Sequence, residues 1–150
     1  MIYGGQKMNL EIIKKYEGLR LTAYLCPANK WTIGYGNTFY EDGTSVKPGD
    51  KITIERAESL LIKVTDAFWN QMSKLIKQPL TENQKSALLS FTYNVGIGNF
   101  QKSTLLKKVN ANPNDLTIRS EFLKWVKSRG IVLSGLVKRR TEEANLYFHA

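Results

Sequence analysis

The chain has 150 residues, 42% hydrophobic and 23% charged, with a formal charge of +9 from 22 Lys and Arg against 13 Asp and Glu. That is enough chain for one domain with a sizeable core, and its balance is that of a soluble globular protein rather than a disordered or fibrous one. A single cysteine, Cys26, excludes an internal disulfide, and no apolar run approaches the roughly 18 residues that span a bilayer.

The charge favours a polyanionic partner without choosing among nucleic acid, an anionic membrane surface and an acidic polymer. Its carriers are spread out, among them Lys14, Lys63, Lys74, Lys107, Lys127 and Arg139. Most suit solvated helix faces, and no DNA-binding motif is present, so nucleic acid is not expected as the partner. Residues Met1 to Met8 have neither an apolar core nor a cleavage site of the secretory kind. Synthesis in a cytoplasm without a signal peptide is therefore expected, with the natural start open between Met1 and Met8.

In chain order, Asn9 is a plausible N-cap, Leu10, Ile13 and Tyr16 or Glu17 lie at helical spacing, and Gly18 is a stop signal. Apolar–polar alternation follows on both sides of Cys26-Pro27-Ala28-Asn29 and runs into Trp31-Thr32-Ile33-Gly34-Tyr35-Gly36-Asn37, which predicts a β-hairpin. Glu17 thus sits on the last turn of a helix, where the dipole disfavours a carboxylate anion. Shielding by Tyr24, Trp31 or Tyr35 would act in the same direction. A Glu that keeps its proton near neutral pH is what a general acid needs to cleave a glycosidic bond. By itself, a Glu near a helix end is more often simply solvated.

Residues 38–52 are rich in turns, with Asp42-Gly43 and Pro48-Gly49, and short strands here are expected to join the hairpin. Glu41 and Asp42 are read as exposed turn residues rather than as a second catalytic carboxylate. Thr53 then caps a long amphipathic helix through Ile54, Ala57, Leu61, Val64, Phe68, Met72 and Leu75, ending before Pro79. Thr81-Glu82-Asn83-Gln84 is a capping box for the next helix, with Leu88, Phe91 and Val95 inward and Asn94 near its end, where Asn is a favoured C-cap. A short helix follows from Asn99-Phe100 through Leu106 and is broken by Pro113. Asp115 caps a helix carrying Ile118, Phe122 and Trp125, Gly130 marks a loop, and the last helix begins at Gly135. His149 is read as part of a fraying end.

Several of these stretches together resemble one family. Glu17, eight residues, Cys26, five residues, then Thr32-Ile33-Gly34-Tyr35-Gly36 is similar to the active-site signature of the phage-type lysozymes, glycoside hydrolase family 24. The F-x-x-N-V-G run ending in Asn94-Val95-Gly96, the Ser103-Thr104-Leu105-Leu106 element and G-L-x-x-R-R-x-x-E from Gly135 to Glu143 also resemble it. The resemblance spans roughly residues 9 to 148 and implies an α+β, mostly helical fold in a single domain over 1–150. Its parts would be a hairpin lobe (17–52), a connecting helix (53–78) and a helical lobe (79–150), with a glycan cleft between the lobes.

The resemblance further implies Glu17 as general acid, Cys26 in a position more often held by Asp, and Thr32 holding the attacking water. Gly36, Asn37, Asn94 and Arg140 would bind substrate, Arg140 near the cleft floor unless it serves in a salt bridge with Glu142 or Glu143. No cofactor or metal is implied. Two departures stand out: Asn37 replaces a common His, and the thiol of Cys26, ionising near ~8.5 when unperturbed, is a weaker base than a carboxylate. A lone cysteine is otherwise best read as a small buried apolar residue. The implied activity is hydrolysis of the β-1,4 bond between N-acetylmuramic acid and N-acetylglucosamine in peptidoglycan, in bacterial lysis by a monomer reaching the wall after membrane permeabilisation. A glycan-binding protein of the same fold that does not cleave is the alternative, and a lytic transglycosylase would share the substrate but leave an anhydro sugar.

Overall fold

The computed structural model describes residues 8–150; the expectation for the N-terminal segment through Lys7 lies outside them. The order of elements is α1 (Glu11–Glu17), β1 (Arg20–Leu25), β2 (Trp31–Gly34), α2 (Ile54–Leu75), α3 (Glu82–Val95), α4 (Ile97–Lys102), α5 (Thr104–Ala111), α6 (Ile118–Leu123), β3 (Lys127–Ser128), β4 (Ile131–Val132) and α7 (Ser134–Tyr147). The fold is α+β and mostly helical, as expected. Two compact units divide the chain, one formed by Ile13–Ala67 and the other by Phe68–Ala150 with the residues leading to Ile12.

The first unit is built on the hairpin. Asn9 Oδ1 accepts from the Glu11 amide to start α1, and Gly18, at φ 73°, donates its N–H to the Lys14 carbonyl and ends it. Only a residue that tolerates positive φ can make that stop without strain. Strands β1 and β2 pair antiparallel, with Tyr24 opposite Thr32 and Leu25 opposite Trp31. The corner closes when the Cys26 amide donates to Lys30 O and the Asn29 amide to Cys26 O, with Asn29 itself at φ 65°. Residues 38–52 add single bridges rather than strands, Thr22 to Lys51 and Phe39 to Ser45. Thr53 Oγ1 accepts from the Arg56 amide and opens α2.

The stripe read along α2 is partly displaced. Ala57, Leu61 and Met72 are buried as expected, but Leu60 joins them and Ile54 is 53% exposed. Ile54 is the first residue of the helix, where a side chain overhangs the N-terminal turn rather than the core beneath later turns. Thr65 is also buried, its hydroxyl donating back to the Leu61 carbonyl.

The second unit forms around α3, in which Ser86 through Thr92 are all buried. A helix enclosed on nearly every side is a core element, not an amphipathic cover. Its start is the capping box read from sequence, with the Gln84 amide donating to Thr81 Oγ1 and the Thr81 amide to Gln84 Oε1. Phe91 makes edge contacts with Phe100, Phe122 and Trp125, the last at 5.6 Å and 89°. Such pairs contribute about 0.5–1.5 kcal/mol each beyond burial.

Three boundaries differ from expectation. The stretch from Asn99 to Leu106 is two helices, because Ser103 leaves the helical region (ψ 148°) and its hydroxyl caps the Leu106 amide. Helix α6 ends at Leu123, so Trp125 lies beyond it. The Gly130 loop is a small hairpin, its two central residues Arg129 and Gly130 at φ 51° and 79°. Two successive left-handed residues are what a tight two-residue hairpin requires.

Candidate active site

The Glu17 signature falls within the first unit. Glu17 closes α1 and is half-buried. Its carboxylate lies against Gly36: a Cβ placed on Gly36 would stand 2.9 Å from Glu17 Oε1. Gly36 is also at φ 84°, so absence of a side chain and left-handed backbone are both needed there. A tight turn holds Gly36 in place. The Ile33 and Asn37 backbones exchange hydrogen bonds of 2.8 and 2.9 Å. Asn37 is buried, and its Oδ1 accepts from the Tyr35 amide at 3.3 Å.

Cys26 and Thr32 meet at the other end of the hairpin. Thr32 is buried, and its hydroxyl donates to the Lys30 carbonyl at 2.9 Å. Cys26 is half-buried. The Lys30 backbone N–H, then the Thr32 hydroxyl, hydrogen-bond the sulfur and hold the thiol below its ordinary value. Since the hydroxyl has one proton and the Lys30 carbonyl takes it, the fixed amide is the more secure of the two donors. A hydrogen-bonded sulfur on a polar corner is not the inert core cysteine of the bland reading.

Sequence reasoning missed the supports of this region. Lys14 on α1 donates to Glu58 on α2 at 2.6 Å. That bond, with a smaller contribution from Tyr35, keeps the Glu58 carboxyl low. Glu58 lies inside the long amphipathic pattern, where only its alignment with Lys14 across two helices would have marked it. Glu41 and Asp42 behave as turn residues: Arg56 pairs with Glu41 at 3.1 Å, and Asp42 Oδ1 accepts from the Thr44 amide and hydroxyl.

Asn94 and Arg140 come together in the second unit. Asn94 is exposed on the last turn of α3, and Gly96, at φ 92°, takes the C-cap position instead. Arg140 is fully buried. It donates from Nη2 to Asn94 Oδ1, from Nε to the Trp125 carbonyl at 2.9 Å and from Nη1 to Glu143 Oε1 at 2.5 Å. Its acidic partner is therefore Glu143 one turn along the same helix. Beside this cluster lies a cavity of about 460 Å³, lined among others by Asn94, Asn99, Trp125, Ser128 and Leu136. Trp125 and the β3–β4 hairpin were not singled out as site elements, and the Arg129-Gly130 pair was the available signal.

Among the described residues no three His, Cys, Asp or Glu side chains are grouped to hold a metal ion, and no helix is long and apolar enough to cross a membrane.

Comparison with known proteins adds to this geometry. The Phage lysozyme family model matches residues 14–143. An endolysin of Bacillus phage B103 is 45% identical over 140 residues, covering 92% of this chain but 51% of the relative. The chain thus spans about half the length of that protein. An endolysin of Acyrthosiphon pisum secondary endosymbiont phage 1 is 42% identical over 142 residues, 92% of this chain and 93% of the relative. Among solved structures, an endolysin from Escherichia coli O157:H7 phage FAHEc1 superimposes with a TM-score of 0.87 at 38% identity, over 98% of this chain and 96% of the other.

Proposed function

We propose, because the chain belongs to the phage lysozyme family, that it is a glycoside hydrolase of peptidoglycan, cutting the β-1,4 bond between N-acetylmuramic acid and N-acetylglucosamine during bacterial lysis. The observation that carries this reading is the Glu17 carboxylate seated on side-chain-free Gly36, in the same unit as the buried Thr32 hydroxyl. Glu17 gives its proton to the bridging oxygen as that bond breaks. Thr32, whose own proton is committed to the Lys30 carbonyl, offers lone pairs to a water and so orients it. Cys26 accepts the second hydrogen of that water and takes the proton as the new C–O bond forms; the lowered thiol suits it to this work. Asn37 supports Gly36 from behind, since its side-chain oxygen is committed to Tyr35. Asn94 and Arg140 contribute to binding the glycan, Arg140 by holding Asn94. The protein acts on the wall as a monomer, with no cofactor.

Mass spectrometry of purified peptidoglycan digested by wild type, Glu17→Gln and Cys26→Ser tests the reading. Wild type should release fragments with free reducing ends, Glu17→Gln none and Cys26→Ser fewer. Anhydro products would replace hydrolysis by transglycosylation, and bound but uncut glycan would leave only a binding protein.

A further inference from the structure

The hairpin of the first unit carries a second cavity, of about 260 Å³, lined by Lys30, Trp31, Thr38, Phe39, Ser45 and Val46. Side chains alternate along a strand, so Trp31 points to the face of β2 opposite Thr32. The loop after the hairpin forms the other wall. Phe39 bridges Ser45 there, and the Val46 amide donates to the Thr38 carbonyl at 3.0 Å. Val46 is buried, whereas Phe39 is 56% exposed. An open aromatic ring beside a half-buried tryptophan is apolar surface that a ligand can cover.

The polar groups of this cavity are uncommitted. Among the described residues, none partners the Lys30 ammonium, the Trp31 indole N–H or the Thr38 and Ser45 hydroxyls. Nor is the Lys30 charge answered by an acid, for none lines the cavity. Of the acids in the same loop, Glu41 pairs with Arg56, Asp42 accepts from Thr44 and Asp50 accepts from Tyr40. A lone cation between aromatic walls suits an anion that carries apolar groups. The volume lies below the roughly 300–1,000 Å³ of sites for drug-sized ligands, so it suits one amino-acid residue rather than a pair of sugars. Resting on the reading of this protein as a peptidoglycan hydrolase, we propose that this cavity binds the peptide branch of the substrate, with a free carboxylate of the peptide on Lys30 Nζ and its aliphatic part against Trp31 and Phe39. The Thr38 and Ser45 hydroxyls then serve the peptide amides. An extended peptide advances about 3.3–3.6 Å per residue, so three residues span about 10 Å and pass from a sugar at Thr32 to the opposite face of the hairpin.

The test uses the full chain and two substrates, intact peptidoglycan and the same glycan strands stripped of peptide by an amidase. Its readout is the ratio of kcat/KM on the first to that on the second, which a loss common to both leaves unmoved. Lys30→Gln should lower the ratio about threefold, the scale of an exposed ion pair, and Lys30→Glu should lower it further. Phe39→Ala, which truncates a mostly exposed side chain, should lower it about tenfold through lost apolar contact. Salt at about 1 M should erase the Lys30 effect and spare that of Phe39, since only the first is a screened charge. A ratio unmoved in both Lys30→Glu and Phe39→Ala overturns the proposal. Equal losses on the two substrates assign the cavity to the glycan and overturn it as well. If wild type binds but does not cut, the hydrolase reading falls, and the ratio of Kd values from cosedimentation with the two polymers judges the cavity instead; binding of neither polymer by wild type overturns both.

Discussion

Glu17 and Gly36 share one small volume: the carboxylate oxygen occupies the place where a Cβ of residue 36 would be crowded at 2.9 Å. The oxygen is the far end of a flexible side chain rather than backbone, so a methyl group there would displace it rather than break the fold. Gly36→Ala should therefore cost activity first. Because φ is 84°, alanine also adds backbone strain, on the order of 1 kcal/mol or more. We expect release of reducing ends to fall at least tenfold with a modest drop in Tm; retained activity would show that the Glu17 position is not set by this contact.

Asn37 makes a second, separable prediction. Its Oδ1 answers the Tyr35 amide inside a turn that the Ile33–Asn37 backbone pair also closes. Asn37→Ala leaves a buried N–H without that acceptor, which costs about 1–3 kcal/mol. Asn37→Asp restores an acceptor at the same place and should recover most of the loss. Urea melts of the three proteins check this, and equal stability of Ala and Asn would remove the turn-holding role.

What the sequence made legible follows from how local each signal is. Asn9, Gly18, Thr53 and the Thr81–Gln84 box act within one turn of their helices, and all four work as read. The Glu17–Cys26–Thr32 spacing placed its residues on a helix end, a corner and a strand for the same reason. The Lys14–Glu58 and Ser90–Glu143 contacts escaped notice because they join residues 44 and 53 positions apart. Ser103 and the Arg129-Gly130 turn were local too, but a serine inside an apolar period and a glycine after a basic residue each have commoner readings. Asn37 is read as a substrate contact from its place after Gly36; that its oxygen accepts from the Tyr35 amide is a contact no spacing reveals.

Cys26 predicts a pH signature. The Lys30 amide holds the thiol below its ordinary value, so the thiolate forms at lower pH than in a free cysteine. If it receives the proton of water, kcat/KM should climb along a limb lying below ~8.5, the ordinary cysteine range. Cys26→Ser has no group to ionise there and should lose the limb, while Cys26→Asp should move it toward ~4 and keep activity at mildly acid pH. A pH–rate profile from about 3 to about 9, which brackets both ionisations, checks this. An identical limb in Cys26→Ser would assign it to another group and remove the thiol from the reaction.

Acid stability should depend on Glu121 in the second unit. Burial works to raise its carboxyl, but Lys108 and Lys124, each 2.9 Å from Oε2, outweigh it and hold the group below the ordinary value. A carboxyl depressed in the folded state stabilises the fold above the ordinary Glu value of ~4.3 and loses that stabilisation as pH falls through the folded value. Glu121→Gln should thus be less stable than wild type at neutral pH, and the gap should close on acidification below about 4. Lys124 is 64% exposed and can return to water, so we place the neutral-pH difference at the low end for a charged partner, about 1–2 kcal/mol. Denaturant melts at neutral, mildly acid and strongly acid pH measure the gap directly. A difference that persists undiminished in acid would mean that Glu121 acts through packing, and that its two lysines contribute nothing by charge.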